Sequence, residues 1–482
     1  MFATSERTRL ILATIILTGL FLRTYDLSTE SLWCDELTSI KLAHMNLKQI
    51  LQDRMSKTVV NPPLYFYILH YWIKVFGDTG FSVRLPSVIF GTLSVYMIYK
   101  IGALLFDEET GIISSLLLAV SVFHIHYSQD ARMYSLLVLL STLSMYMFLK
   151  FLKKEDLKTG ISYILSSTLM IYNHFYGLLI ILAQNIYAIT LIQSPKANQK
   201  PNLKKWFILQ ASIGILYSPW IIPMLDQLSR ITETGSWISE WLGAPSTHTL
   251  INTFVEYSGS IPLLLIFLIL YLNSITVNGK HNLREHYLLW LWLLTPIIIP
   301  AVFSHIIVPV YVIKYGIPAS LAFYIQVAKG IRDIKHRLSK HAVTAVIIAI
   351  SLLNILNYYT VVDKEEWREV LGYINDNARP RDLLIYPKYI NDRGIFDYYL
   401  NRTDLILRPL PMNFFTRPNE RRLDAIKEKH DRIWMIYNMG GDASLINASL
   451  TECHNISYYG RFVGETFDNV RLNIDLYLFE RK

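Results

Sequence analysis

Asp35 and Glu36 stand side by side in the stretch Ser28–Leu37, read S-T-E-S-L-W-C-D-E-L, just beyond the first apolar segment. Paired carboxylates at the rim of a membrane suit proton abstraction from a hydroxyl group. The simpler reading is a solvated acidic turn at the lipid headgroup boundary. Further polar residues gather between later apolar runs. His124-Ile-His126-Tyr127-Ser128-Gln129-Asp130-Ala131-Arg132-Met133-Tyr134 is one group, and Tyr172-Asn173-His174-Phe175-Tyr176-Gly177 is a second. A long loop at Asp226–Ser260 carries Trp237 and Trp241; beyond it come Ser304-His305 and Pro309-Val-Tyr311-Val-Ile-Lys314-Tyr315. Ionisable residues at membrane depth are costly and usually face a cavity. His124, His126 and a nearby carboxylate could also bind zinc or a hard divalent ion, although interfacial histidines serve equally as hydrogen-bonded structure.

The elements that must hold these residues are membrane helices. The chain has 482 residues, 52% of them hydrophobic and only 17% charged, with mean hydropathy +0.30. A soluble protein of this size carries roughly 25% charged residues. The net charge of +8 comes from Lys and Arg in short clusters between apolar runs, the pattern of cytoplasmic loops, which excludes nucleic acid as the partner. Cys34 and Cys453 are the only cysteines, too few for a disulfide framework or a cysteine metal site.

A bilayer core of about 30 Å needs about 20 apolar residues per helix. Leu10–Leu22, preceded by Arg7 and Arg9, reads as a retained signal anchor with the N-terminus cytoplasmic. Asp35 and Glu36 then fall on the outer side. Arg23–Val83 reads as one long outer loop with two surface helices, because Pro62–Gly77 is short and dense in aromatics and prolines. Ten further spans follow at Arg84–Phe106, Gly111–His124, Met133–Phe151, Ile161–His174, Tyr176–Ile192, Trp206–Leu225, Ile261–Ile275, Tyr287–Phe303, Tyr315–Ile331 and Ala342–Tyr359. The inside loops hold Lys150, Lys153, Lys154 and Lys158; Lys196, Lys200, Lys204 and Lys205; Lys280 and Arg284; and Arg332, Lys335, Arg337 and Lys340. Asp107-Glu108-Glu109 is an acidic exception, to which the rule is barely sensitive.

From Val361 the composition becomes that of a soluble domain, so the expected division is 1–360 in the membrane and 361–482 outside it. Asp363-Lys364-Glu365-Glu366 reads as a capping box before a helix whose apolar face is Trp367, Val370, Leu371 and Ile374. Strands at Leu383–Tyr386, Leu405–Leu407 and Ile433–Tyr437, a helix at Glu420–His430 and a hairpin of Tyr458–Phe467 with Val470–Phe479 make a small α/β domain. Its acceptor sequons begin at Asn401, Asn447 and Asn455, usable only on the outside.

In order and topology these motifs resemble the GT-C glycosyltransferases, close to the protein O-mannosyltransferase and aminoarabinose transferase group. The matching residues are Asp35-Glu36, Asn61-Pro-Pro-Leu-Tyr, Arg84-Leu-Pro-Ser, Tyr127-Ser-Gln-Asp130-Ala-Arg132-Met-Tyr134, the Tyr-Asn-His174-Phe-Tyr-Gly turn and the Trp367-Arg368 entry to the terminal domain. The family's usual Arg-Tyr near the penultimate span is here Lys314-Tyr315; Lys still binds phosphate but cannot form a bidentate fork. The resemblance implies a multi-pass plasma-membrane enzyme that takes sugar from a polyprenyl-phosphate donor and passes it to a protein, glycan or lipid acceptor.

It implies that Asp35 deprotonates the acceptor hydroxyl for inverting attack. Glu36 orients Asp35 or the sugar, or is a solvated helix-terminus carboxylate. Asp130 holds sugar hydroxyls or pairs with Arg132. Arg84, Tyr134, His174 and Tyr315 stand at substrate-binding positions. Arg132 and Lys314 are candidates for the donor phosphate, the alternative being cations that snorkel to headgroups. Tyr65, Tyr67, Tyr71 and Trp72 line the polyprenyl groove or form an aromatic belt. A lipid or saccharide transporter would instead place charges near the midplane on interrupted, repeated helices. Pro219, Pro223, Pro296 and Pro300 do interrupt spans. An inactive scaffold whose terminal domain binds a partner is a second alternative, against which the acidic pair and the cationic positions argue.

Overall fold

The structure, a computed structural model, describes residues 6–56, 61–194, 201–232, 243–278, 282–361, 364–388, 390, 394–411, 414–415, 420–438, 444–464, 466–467, 470–471 and 473–482. Lys196, Lys200, Trp237, Trp241, Lys280 and Asp363 lie outside them. The chain forms two compact units: Met1–Tyr25, Met45–Gly77 and Ser82–Tyr358 in the first, Asp26–His44, Asp78–Phe81 and Tyr359–Lys482 in the second.

A helix stands at each segment read as a span, from Glu6–Thr24 to Arg337–Thr360. Among the described residues, five helices are long and apolar enough to cross a bilayer: Gly80–Leu105, Tyr134–Lys154, Leu203–Thr232, Leu283–Ile306 and Arg337–Thr360. The number rises to seven if each of two bent pairs counts as one span. Glu108–Ala119 with Val122–Ser128 bends by 61°, and Thr247–Ser258 with Ile261–Val277 by 87°. Among the described residues of 26–76 there are three helices where the sequence suggests two: Cys34–His44, Leu47–Ser56 and Leu64–Phe76. The first two are too short and too mixed in polarity to carry a clear period.

Breaks in helices leave backbone groups that need partners in a low-dielectric interior. The 61° bend ends Glu108–Ala119 early, and Arg23 takes its last carbonyls. Its Nη2 donates to Leu118 O at 3.0 Å, its Nη1 to Ala119 O at 3.1 Å, and its Nε to Ser128 Oγ at 3.2 Å. Pro86 lies inside Gly80–Leu105 and has no N–H for the carbonyl four residues back. That carbonyl, Ser82 O, accepts from Trp72 Nε1 at 2.9 Å. Trp72 is therefore a hydrogen-bonding strut as well as an aromatic. The acidic turn also gains a reason. Asp107 caps Glu108–Ala119 through Thr110 N at 2.8 Å and pairs with Arg332 Nε at 2.7 Å, while Glu109 pairs with Lys340 at 2.8 Å.

Helix Ile317–Arg332 is buried along nearly its whole length and forms the axis of the first unit. A Cβ on Gly330 would lie 1.9 Å from Leu270 O. The missing side chain lets Ile261–Asn278 pack backbone to backbone, as small residues do between membrane helices.

The second unit carries a five-stranded sheet. Its strands are β1 (Leu383–Pro387), β2 (Ile406–Leu410), β3 (Arg432–Asn438), β4 (His454–Phe462) and β7 (Ile474–Arg481), in the order β2-β1-β3-β7-β4. β1 pairs parallel with β2 and β3, and β7 antiparallel with β3 and β4. The hairpin expected at the end is present, with its tip made by the two-residue strands β5 (Thr466–Phe467) and β6 (Val470–Arg471). Helix Trp367–Asn377 buries Trp367, Val370, Leu371 and Ile374, the face its spacing predicts. Glu366 is its N-cap residue but makes no side-chain cap bond; its carboxylate accepts from Val463 N at 2.6 Å instead.

Candidate active site

The cationic and aromatic positions come together in the first unit. Ser304 Oγ accepts from Val310 N and Tyr311 N, both at 2.9 Å. These two hydrogen bonds fold the chain back after Leu283–Ile306, and the 3-10 turn Ile313–Gly316 leads directly into helix Ile317–Arg332. Lys314 and Tyr315 thus sit at a buried helix N-terminus, where the backbone dipole favours negative charge.

Lys314 Nζ lies 5.6 Å from the centre of the Tyr134 ring. Tyr134 and Tyr315 are stacked at 6.2 Å, and the His174 ring stands 4.7 Å from Tyr315 and 6.4 Å from Tyr134. Tyr176 N donates to His174 Nδ1 at 3.2 Å, so the proton of a neutral ring resides on Nε2. That nitrogen is buried with no hydrogen-bond partner among the described residues. Asn173 Nδ2 donates to Met133 O at 3.0 Å and so ties the His174 turn to the start of Tyr134–Lys154.

Asp130 is fully buried, with His126 Nε2 at 4.0 Å from its carboxylate. The backbone of Arg132 is held by Ser87 Oγ, which donates to Arg132 O at 3.3 Å. Ser87 ends the Arg84-Leu-Pro-Ser stretch, and Arg84 is itself buried in the same helix. His124 and His126 do not share a site. They are two residues apart on helix Val122–Ser128 and so point apart: His124 Nε2 meets Ser320 Oγ at 2.7 Å, while His126 turns to Asp130. Among the described residues no three His, Cys, Asp or Glu side chains form a metal-holding group.

Arg54 is a buried cation that sequence reasoning missed. It is buried on helix Leu47–Ser56, its Nε 3.0 Å from Asp53 Oδ2 and its guanidinium 5.1 Å from the Phe66 ring centre. Burial pulls its pKa below the ordinary value, Asp53 opposes this, and the charge of Arg132 lowers it further. A basic residue in a polar loop gives no sequence signal that it will be buried.

Beside this cluster lies an apolar groove of about 260 Å³. Phe175, Tyr176, Tyr315, Leu178, Met224 and Phe303 are among its lining residues. Asn61, opening the Asn-Pro-Pro-Leu-Tyr stretch, also lines it. Tyr65, Tyr67, Tyr71 and Trp72 do not: Tyr65 is fully buried and Tyr71 exposed.

The acidic pair belongs to the second unit. Helix Cys34–His44 begins with its first N–H held from a distance, Cys34 N donating to Glu365 Oε2 at 3.0 Å. Glu36 is fully buried, accepts from Trp33 N at 3.4 Å and lies 3.5 Å from Lys364 Nζ. Leu32 N donates to Tyr399 Oη at 2.7 Å, and Arg368 N to Ser31 Oγ at 3.0 Å. Asp35 is half-buried in the first helical turn. The two neighbours are thus inequivalent: Glu36 is internal and ion-paired, and Asp35 is the more accessible.

Residues 60–222 match the family described as Dolichyl-phosphate-mannose-protein mannosyltransferase, about a third of the chain. The fold is similar to that of ArnT from Cupriavidus metallidurans bound to undecaprenyl phosphate, with TM-score 0.62, 11% identity and 98% of each chain covered. It is also similar to the oligosaccharyltransferase AglB from Archaeoglobus fulgidus in complex with an inhibitory peptide and a dolichol-phosphate. There the TM-score is 0.56 at 11% identity, over 89% of this chain and 69% of that one. The mycobacterial arabinofuranosyltransferase AftD matches with TM-score 0.53 at 12% identity, over 99% of this chain and 42% of that one. No curated protein matches the sequence. The fold is therefore the one these membrane glycosyltransferases share, and residues 60–222 carry the pattern of the mannosyltransferase family.

Proposed function

We propose that the chain moves one sugar from a polyprenyl-phosphate carrier, dolichyl or undecaprenyl, to an acceptor hydroxyl of a protein, glycan or lipid at the outer face of the plasma membrane. Asp35 takes the proton of the acceptor hydroxyl, the oxygen attacks the anomeric carbon with inversion, and the carbon–oxygen bond to the carrier phosphate breaks. The carrier leaves as polyprenyl phosphate, and Asp35 later returns its proton to water. Glu36, ion-paired to Lys364, orients the helix that bears Asp35. Asp130, Arg84 and His174 hold the sugar and its phosphate.

The observation that carries this reading is the apolar groove lined in part by Tyr315, the neighbour of Lys314 at a buried helix N-terminus. A long isoprenoid with a phosphate head needs both parts: apolar walls for the chain, and cation plus helix dipole for charge that builds as the phosphate leaves. Lys314 and Arg132 supply the cations, and Arg54 adds a third nearby. The reading takes the chain to cross the membrane eleven times, with the N-terminus cytoplasmic and residues 361–482 extracytoplasmic. Mass spectrometry of products formed by purified protein from a panel of polyprenyl-phosphate sugars tests it. The expected result is transfer of the sugar with release of polyprenyl phosphate. Movement of intact carrier across vesicles without bond cleavage would instead identify a transporter.

A further inference from the structure

Four helix ends meet at the Lys-rich end of the first unit: the C-termini of Gly80–Leu105, Tyr134–Lys154 and Gly177–Gln193, and the N-terminus of Leu283–Ile306. Together they line a cavity of about 360 Å³ that the chemistry above does not use. Leu149, Leu152 and Leu191 are buried walls; Lys153 and Arg284 are exposed and Glu285 is half-buried. Two cations face one carboxylate, so the side chains favour an anion.

The backbone does not. Three of the four helices present their carbonyl ends, the negative pole of the dipole, and Lys153 Nζ already donates to Leu104 O at 3.1 Å. A bare anion therefore gains little here. An amphiphile gains twice, from the cations at its head and from leucine walls along its chain. We propose that this cavity seats the phosphate head and upper acyl chain of an anionic glycerophospholipid. Basic pockets between helices at a leaflet boundary recognise acidic lipids in this way.

The test uses the purified full chain in neutral detergent, with native mass spectrometry and thermal shift as readouts. Phosphatidylglycerol, phosphatidylcholine and inorganic phosphate are compared. Phosphatidylglycerol should be retained in preference to phosphatidylcholine, and inorganic phosphate should not stabilise the protein. Each basic group near an anionic surface is worth roughly fivefold in affinity, so K153A/R284A should lose roughly 25-fold. K153R/R284K should bind as the parent does. K158A, which removes an exposed charge at the same end, should change retention less than twofold. Leu152→Trp fills the wall with both cations intact and should lower retention; it decides the matter if K153A/R284A does not fold. Equal retention of the two lipids by the parent overturns the proposal. So do equal losses in K158A and K153A/R284A, undiminished retention in Leu152→Trp, or full stabilisation by inorganic phosphate.

Discussion

Asp35 and Glu36 differ by one position and by almost everything else. Glu36 is buried against Lys364, whereas Asp35 is half-buried in the first turn of its helix. Asp35→Asn keeps the shape but cannot accept a proton. It should leave folding and donor binding intact while transfer falls about 10²–10⁴-fold, the usual worth of a general base. Glu36→Gln leaves Lys364 buried beside a neutral amide, and removing one member of a buried pair costs about 3 kcal/mol. Its expected signature is a lower Tm with residual turnover. An active Asp35→Asn beside a well-folded but dead Glu36→Gln would reverse the assignment. Lys314 makes a separate prediction. Lys314→Ala should weaken binding of the lipid-phosphate donor roughly tenfold or more, because a charge-assisted contact is lost, and Lys314→Arg should retain most of it. Unchanged donor affinity in Lys314→Ala would mark a cation that only stacks on Tyr134.

Among the elements, the bend between Glu108–Ala119 and Val122–Ser128 decides where Asp130 and Arg132 emerge, and Arg23 holds that bend. Arg23→Met keeps the bulk but leaves Leu118 O and Ala119 O without their donors. Each buried unsatisfied group costs about 1–3 kcal/mol, so a Tm drop of several degrees is expected, with turnover falling alongside it. Gly91→Ala tests the same joint from the opposite wall, since its Cβ would stand 2.2 Å from Ser128 Oγ and 3.1 Å from Arg23 Nε. It should reproduce the loss without removing a charge. If both variants melt and turn over like the parent, the joint does not set the position of Asp130.

For the whole molecule, the testable quantity is sidedness. The eleven crossings proposed above would put Asn401 outside and Lys335 inside. In intact cells an impermeant thiol reagent should label Asn401→Cys and spare Lys335→Cys, in a background without Cys453, which is exposed. The reverse pattern would invert the topology and remove the outer-face site with it. Loss of labelling at both positions would mean that neither region faces out.

Much of this was legible because membrane composition is a coarse and additive signal. Low charge and the spacing of apolar runs locate helices, since every backbone group in hydrocarbon must be satisfied within its own segment. Short apolar runs mark β1 and β3, whose burial is nearly continuous. The motif residues Tyr134, His174, Lys314 and Tyr315 were each visible in the sequence, and the tertiary structure packs them together. Other features are decided by contacts between segments far apart in the chain, where no local pattern exists. The guanidinium of Arg23 closes a bend about 95 residues away in sequence, Trp72 supplies the bond that Pro86 lacks, and Arg54 is buried in a helix of low hydropathy. The stretch bearing Asp35 looked like part of a membrane loop, yet it packs with the terminal domain through Glu365, Arg368 and Tyr399. Residue type sets what a side chain can do, but burial and partnership are properties of the packed chain, and they separate Asp35 from Glu36.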